Sequence, residues 1–320
     1  MPLRDLAGRV VVITGASSGI GRASALAFAG QGSRLVLAAR GREALADVEL
    51  ACRGRGADVL VVPTDIGDPD AVTALERAAV AEFGGIDVWV QAAAATLAGP
   101  LGSEPLPETR RLLDTNILGN VLVARTALAR FEAQGHGVLV IVGSLLGIFP
   151  NPQVPLYSMT KYAARGLAFN LRQAVAGLPG VDVCLVLPGP VDTPLFRRSA
   201  NHTGRRLRAI PPATAPERVA ATIVACARRP RREATSGVLA HAALVLHRVA
   251  PRSTERLVAR WSAALITAAA PAPETPGTLF APESTPGEVH GGYRRGRLRR
   301  RLGERLGTWQ AQRAGGHRSR

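Results

Sequence analysis

Through the first 190 residues or so, short β-branched runs alternate with amphipathic stretches. The runs Val10 to Thr14, Arg34 to Ala38, Asp58 to Val62, Asp87 to Gln91, Val138 to Val142 and Val181 to Leu187 read as strands. Between them, helical segments begin near Gly19, Arg42, Pro69, Pro107 and Pro155, several opened by a proline where the first turn tolerates one. Such alternation predicts repeated βαβ units and an α/β fold with a doubly wound, mostly parallel sheet. A further helix from Pro216 to about Arg229 closes on two arginines that suit the negative end of its dipole, and a seventh short strand is expected at Gly237 to Ala240.

Beyond that point the pattern changes. His241 to Ala270 is apolar and reads as helical, but Pro251 interrupts it and neither half is long enough to span a bilayer. Pro271 to Pro286 contains five prolines and reads as an extended linker. From Arg294 to Trp309, Leu298, Leu302 and Leu306 stand four apart among arginines, so a helix there would be basic and amphipathic. The expected divisions are a main domain over 1–240, a helical extension over 241–270, a Pro-rich linker over 271–289 and a partly disordered basic tail over 290–320.

Composition narrows the picture. A chain of 320 residues can hold one large α/β domain with an appendage, and a 4% aromatic content suits helices on a parallel sheet better than an all-β fold. The formal charge of +16 would ordinarily direct attention to nucleic acid or membranes, but it is lopsided. His290 to Arg320 holds ten arginines against one acid, Glu304, which leaves +7 for residues 1–289. Nucleic acid is therefore disfavoured as a partner, and the tail reads as a solvated charge run or as a weak contact to an anionic membrane surface. Cys52, Cys184 and Cys226 are odd in number, without CxxC spacing or a His cluster nearby, which argues against a disulfide framework and a zinc site and for a reducing, cytoplasmic setting. The apolar run at Val10 is too short for a signal segment or a membrane span.

The candidate chemistry begins directly after the first strand, where Thr14 to Gly21 reads Thr-Gly-Ala-Ser-Ser-Gly-Ile-Gly and opens an Ala-rich helix. Gly15 would permit a tight turn, Gly19 the approach of a pyrophosphate, and Gly21 close helix-to-sheet packing, with Ser17, Ser18 and Ile20 between them. A dinucleotide site selective for NAD(H) usually places an acid about 20 residues on. This chain has Ala38-Ala39-Arg40 there, so Arg40, helped by Arg22, could pair with a 2′-phosphate, which favours NADP(H) over NAD(H). The alternative is that both are solvated arginines in an arginine-rich chain. Asp65 is a candidate partner for the adenine edge, or else the acceptor of an Asx turn where the next helix begins.

Tyr157 and Lys161 stand one helical turn apart, so a lysine ammonium could lower the phenol's pKa from its usual value near about 10 and fit it for proton transfer to or from a substrate oxygen. Ser144, at the end of the fifth expected strand, would hydrogen-bond the same oxygen. A Tyr-x-x-x-Lys spacing is common by chance, but Lys161 is the only lysine in a chain that uses arginine at its other 39 basic positions. A compact ammonium with rotatable donors can contact a ribose and sit beside a phenolate where a planar guanidinium would not be equivalent.

Together and in this order, these motifs resemble the short-chain dehydrogenase/reductase family over residues 7 to 240, and with them a Rossmann-type sheet. The resemblance also takes in Asn116 within Asp114-Thr115-Asn116-Ile117 and the segment Pro188 to Pro194. It implies that Asn116 holds a water in a proton relay to Lys161, that Lys161 also binds the nicotinamide ribose, and that Pro188, Gly189 and Thr193 contact the nicotinamide end. The implied catalytic set is Asn116, Ser144, Tyr157 and Lys161. The implied coenzyme set adds the glycine loop, Arg22, Arg40, Asp65 and Ile66. Family members usually carry Asn-Asn-Ala-Gly after the fourth strand, whereas this chain has Gln91-Ala92-Ala93-Ala94, a change expected to alter sheet hydrogen bonding and to crowd the adenine ribose.

Residues 195 to 212 fall where such proteins vary with substrate, and His202 among them could be a polar contact or an exposed histidine without a role. Leu145, Leu146, Ile148, Phe149, Val154 and Leu195 would surround the reaction centre, favouring an apolar alcohol or ketone unless they simply pack the core. A homo-oligomer is implied by resemblance alone. The competing function is a weakly catalytic NADP(H)-binding protein, acting as a sensor or through its basic tail.

Overall fold

The β-branched runs do form strands, and their order in space sets the position of everything functional. The computed structural model describes residues 5–282 and 287–294. Its strands are β1 (Val10–Thr14), β2 (Arg34–Ala39), β3 (Val59–Pro63), β4 (Val88–Gln91), β5 (Leu97–Ala98), β6 (Gly137–Val142), β7 (Val181–Pro188), β8 (Ala200–Asn201) and β9 (Glu233–Ser236). Seven of them make one sheet in the order β3-β2-β1-β4-β6-β7-β9, with every neighbouring pair parallel, while β5 and β8 pair separately. The strand order reverses between β1 and β4, which opens a crevice at their carboxyl ends.

The helices are α1 (Gly19–Ala29), α2 (Arg42–Arg53), α3 (Pro69–Phe83), α4 (Leu106–Leu113), α5 (Gly119–Gln134), α6 (Pro155–Ala174), α7 (Leu195–Arg198), α8 (Pro216–Arg228), α9 (Val238–Val249) and α10 (Pro251–Thr267). Proline opens α3, α6, α8 and α10, where a missing N–H leaves no broken bond. Asp68 caps α3 by accepting from the amides of Asp70 at 2.9 Å and Ala71 at 3.4 Å. The sheet is covered on both faces, so its central strands read as unbroken Val, Ile and Leu. One cluster joins Val11, Ile13 and Leu35 to Phe28 and Ile223, and the other joins Trp89 and Leu139 to Leu75 and Phe131.

Three expectations are corrected here. The seventh strand lies at Glu233–Ser236, not Gly237 to Ala240. An edge strand pairs on one side only and needs no apolar run, while the apolar residues that follow Gly237 (φ +100°) belong to α9. The helix expected from Pro107 is α4 and α5 joined by a π-helical turn, Asp114–Leu118. The stretch read as a linker is instead docked in its described parts, through bridges from Pro271 to Arg205 and from Thr275 to Asn201. The basic helix expected from Arg294 to Trp309 lies outside the described residues, apart from Arg294. No described helix is long and apolar enough to cross a membrane.

Candidate active site and coenzyme cleft

Because β1, β2, β4 and β6 run parallel, the loops leaving their carboxyl ends meet along one edge, and a cleft of about 230 Å³ lies there. Gly15 follows β1 with φ +69°, and a Cβ on it would come within 2.8 Å of the Ala93 backbone. A Cβ on Gly21 would collide with the Gly15 carbonyl. Only glycine lets α1 start this close to the sheet, and the result is a cradle lined by Gly15, Ser17, Ser18, Gly19, Ile20 and Gly21. Arg40, Asp65 and Ile66 line the same cleft toward its outer end, and Lys161, Tyr157 and Thr193 line it toward the inner end. Arg22 does not line the cleft; its guanidinium bonds the carbonyl of Gly287.

A second cavity of about 310 Å³ adjoins the first, and Ile20, Gly143, Tyr157, Thr193 and Leu195 belong to both. Ser144, Pro188 and Gly189 line only this second space. Its walls are mostly apolar: Leu145, Leu146, Phe149 and Val154 on one side, with Val258, Trp261 and Leu265 of α10 as a roof. Ile148 is core instead of lining, and Leu145 and Phe149 serve both purposes.

Ser144 and Tyr157 both line this second cavity, and the Ser144 hydroxyl accepts from Leu146 N at 3.1 Å. Burial pushes the Tyr157 phenol up, and the Ser144 hydroxyl opposes that rise. Lys161 is buried, its Nζ 5.5 Å from the Tyr157 ring centroid and donating to the Val142 carbonyl at 3.2 Å. Burial lowers its pKa from 10.5 to about 8. Burial is the larger of these two influences on the phenol.

Asn116 sits in the π-helical turn, where its amide is fully engaged. Oδ1 accepts from Ala95 N at 2.8 Å, while Nδ2 donates to Ala95 O at 2.9 Å and to Thr160 Oγ1 at 3.0 Å. Its side chain therefore clamps the loop after β4 to α6, beside Lys161. The loop's other end is held by Thr14, whose hydroxyl bonds the Gln91 side chain and accepts from Ala92 N at 3.2 Å and Ala93 N at 3.4 Å. Gln91 Nε2 closes the set on Ala93 O at 3.2 Å. A single long amide thus steadies the sheet end in this chain.

Asp65 forms the Asx turn, accepting from Gly67 N at 3.0 Å, and its other oxygen pairs with Arg111. Burial would raise its pKa, but Arg111, the Gly67 amide and Arg40 outweigh it and hold the carboxyl below its usual value. His202, a polar contact or an exposed histidine on the sequence alone, is buried between Glu108, at 2.8 Å, and Glu274, at 3.3 Å. Burial works to lower its pKa, and the two carboxylates raise it further than burial lowers it. Asn201 is likewise structural, donating to Arg205 O at 2.9 Å. Arg111, the α10 roof and the contacts of residues 278–282 and 287–288 carried no local sequence signal, since each acts through a partner distant in the chain. Among the described residues no group of three or more His, Cys, Asp or Glu could hold a metal.

A dinucleotide coenzyme fits these residues: the loop has no room for side chains where a pyrophosphate would approach, and a basic outer end leads to the buried Tyr157 and Lys161 with Ser144 beside the adjoining cavity. Comparison with known proteins agrees. The chain belongs to the short chain dehydrogenase family, which it matches over residues 9–204. Among its relatives is the uncharacterized oxidoreductase YxnA of Bacillus subtilis, 32% identical over 265 residues, covering 81% of this chain and 73% of YxnA. Cis-4-hydroxycyclohexanecarboxylate dehydrogenase of Sinomonas cyclohexanicum is 38% identical over 192 residues, 59% of this chain and 76% of that protein. A short chain dehydrogenase/reductase from Burkholderia phymatum, solved in complex with NAD, superposes with a TM-score of 0.71 at 25% identity, covering 76% of this chain and 94% of the other. The protein is accordingly an oxidoreductase of this family with a Rossmann-type sheet.

Proposed function

We propose that the protein interconverts an apolar ketone and its alcohol using NADP(H), with Tyr157 as general acid and base. The observation that carries this is the position of Tyr157 on the boundary between the coenzyme cleft and the apolar cavity, which Ser144 also lines. A bound nicotinamide coenzyme supplies or accepts the hydride at the substrate carbon. In the reductive direction the Tyr157 hydroxyl gives its proton to the carbonyl oxygen while Ser144 hydrogen-bonds that oxygen, and in the oxidative direction the proton returns. Lys161 contributes positive charge 5.5 Å from the phenol ring, which stabilises the tyrosinate once it forms. Asn116 positions α6 and the coenzyme loop, and Pro188, Gly189 and Thr193 form the nicotinamide end of the site.

The NADP(H) preference is supported by Arg40 standing where an acid would select NAD(H). The apolar substrate class is supported by the walls of the second cavity, and by the Sinomonas relative, whose name specifies an alcohol on a cyclohexane ring. NADPH oxidation should be measured with a panel of apolar ketones for the wild type and Tyr157→Phe. The variant should retain coenzyme binding and lose activity by about two to four orders of magnitude, the range of general acid catalysis. An unchanged rate would remove Tyr157 from the chemistry and favour the sensor reading.

A further inference from the structure

After α10 the chain turns back across the coenzyme cleft and bonds to the very groups a coenzyme would use. Arg40 donates from Nη1 to Leu279 O at 2.8 Å and from Nη2 to Thr278 O at 2.5 Å, and Arg111 Nε reaches the Leu279 carbonyl at 3.0 Å. Farther along, the amide of Gly19 at the start of α1 donates to Glu288 O at 2.9 Å, and Arg22 bonds the Gly287 carbonyl. Thr278, Leu279 and Pro282 are themselves cleft-lining residues.

We propose that the C-terminal segment, in its described residues 275–282 and 287–293, is a built-in competitor for the coenzyme. Its backbone carbonyls occupy the donors that a 2′-phosphate and a pyrophosphate require, so the coenzyme binds only as the segment leaves. The proposal rests on the NADP(H) reading of the site.

The seat is built, since several contacts involve no coenzyme group. Thr275 and Asn201 exchange backbone hydrogen bonds of 2.8 and 3.2 Å, and Thr278 N donates to Arg198 O at 2.9 Å. Asp192 accepts from Gly291 N at 3.1 Å through its carbonyl and from Tyr293 N at 2.8 Å through its carboxylate. A Cβ on Gly291 would collide with the Thr193 carbonyl, and one on Gly287 with that of Ser17, so the segment lies closer than any other residue would allow.

Energetics set the direction of the switch. A guanidinium bonds a phosphate more strongly than a neutral carbonyl, so the coenzyme wins Arg40 once it arrives. It must first break the rest of the seat, and its apparent affinity is reduced by the fraction of molecules already open. A lid that closed over bound coenzyme would have the opposite effect, because it would tighten binding.

The test is NADPH and NADH binding by titration calorimetry for the full chain, for a chain ending at Ala270, and for Gly291→Val, which loosens the segment without substituting any residue that lines the cleft. NADPH should bind at least tenfold more tightly to both variants, and saturating NADPH should speed proteolytic cleavage of the segment in the full chain. Unchanged or weaker binding by both variants, or protection of the segment by NADPH, would overturn the proposal. The NADPH to NADH preference of the truncated chain tests the coenzyme assignment separately, so either idea can fail without the other.

Discussion

Replacing Lys161 with methionine should make the coenzyme-free protein more stable while abolishing its chemistry. Lys161 is only 4% exposed, and burial lowers its pKa from 10.5 to about 8. That difference corresponds to about 3 kcal/mol against the folded state whenever the amine is protonated in both states. The unfolded chain holds the proton more tightly, so the cost is complete below about pH 8, shrinks as the pH rises toward 10.5 and is gone above it. Methionine removes the cost but forfeits the bond to the Val142 carbonyl, worth about 1 kcal/mol. The net gain at pH 7 is then about 2 kcal/mol. Urea unfolding of wild type and Lys161→Met at pH 7 and pH 10 measures it, and the advantage should vanish by pH 10. A variant less stable than wild type at pH 7, or a difference that ignores pH, would refute the reasoning. A stabilising loss of function is expected wherever an active site retains a buried charge for its chemistry.

Two other substitutions examine the scaffold around the site. Gly21→Ala puts a methyl against the Gly15 carbonyl, so it should cost about 1 to 3 kcal/mol in a thermal melt and weaken NADPH binding at least tenfold, and unaltered binding would contradict the close-packed loop. His202→Asn should lose stability relative to wild type mainly at low pH. The raised pKa of the folded state makes the stabilisation complete below about 6.5, the unfolded value, and lost as pH rises through the higher folded value. Denaturant titrations from pH 5 to 9 would show the gap closing, and a constant gap would exclude a charged His202.

What was legible in the sequence was whatever depends on local pattern. The six main strands show because their central members are buried on both faces and must be apolar throughout, and the Tyr157 to Lys161 pair shows because it occupies one helical face. The sole lysine adds weight that spacing alone lacks. What was not legible depends on partners far along the chain. His202 finds Glu108 94 residues back and Glu274 72 residues on. Arg40 meets Thr278 across 238 residues. The edge strand Glu233–Ser236 escaped for another reason: with a neighbour on one side only, it needs no hydrophobic run to hold it.

The segment Gln91 to Ala94, expected to alter the hydrogen bonding at the sheet end, carries its own replacement for it. The amide lost from the loop is supplied by Gln91, buried and bonded to both Thr14 and Ala93. From the other side, Asn116 grips both backbone groups of Ala95 and the hydroxyl of Thr160, the residue immediately before Lys161. One side-chain amide therefore links the wall of the coenzyme cleft to the helix carrying Tyr157 and Lys161. A shift of the loop would therefore be felt at α6 through this amide. In the proposed mechanism Asn116 is thus a positioning residue, carried by the π-helical turn Asp114–Leu118.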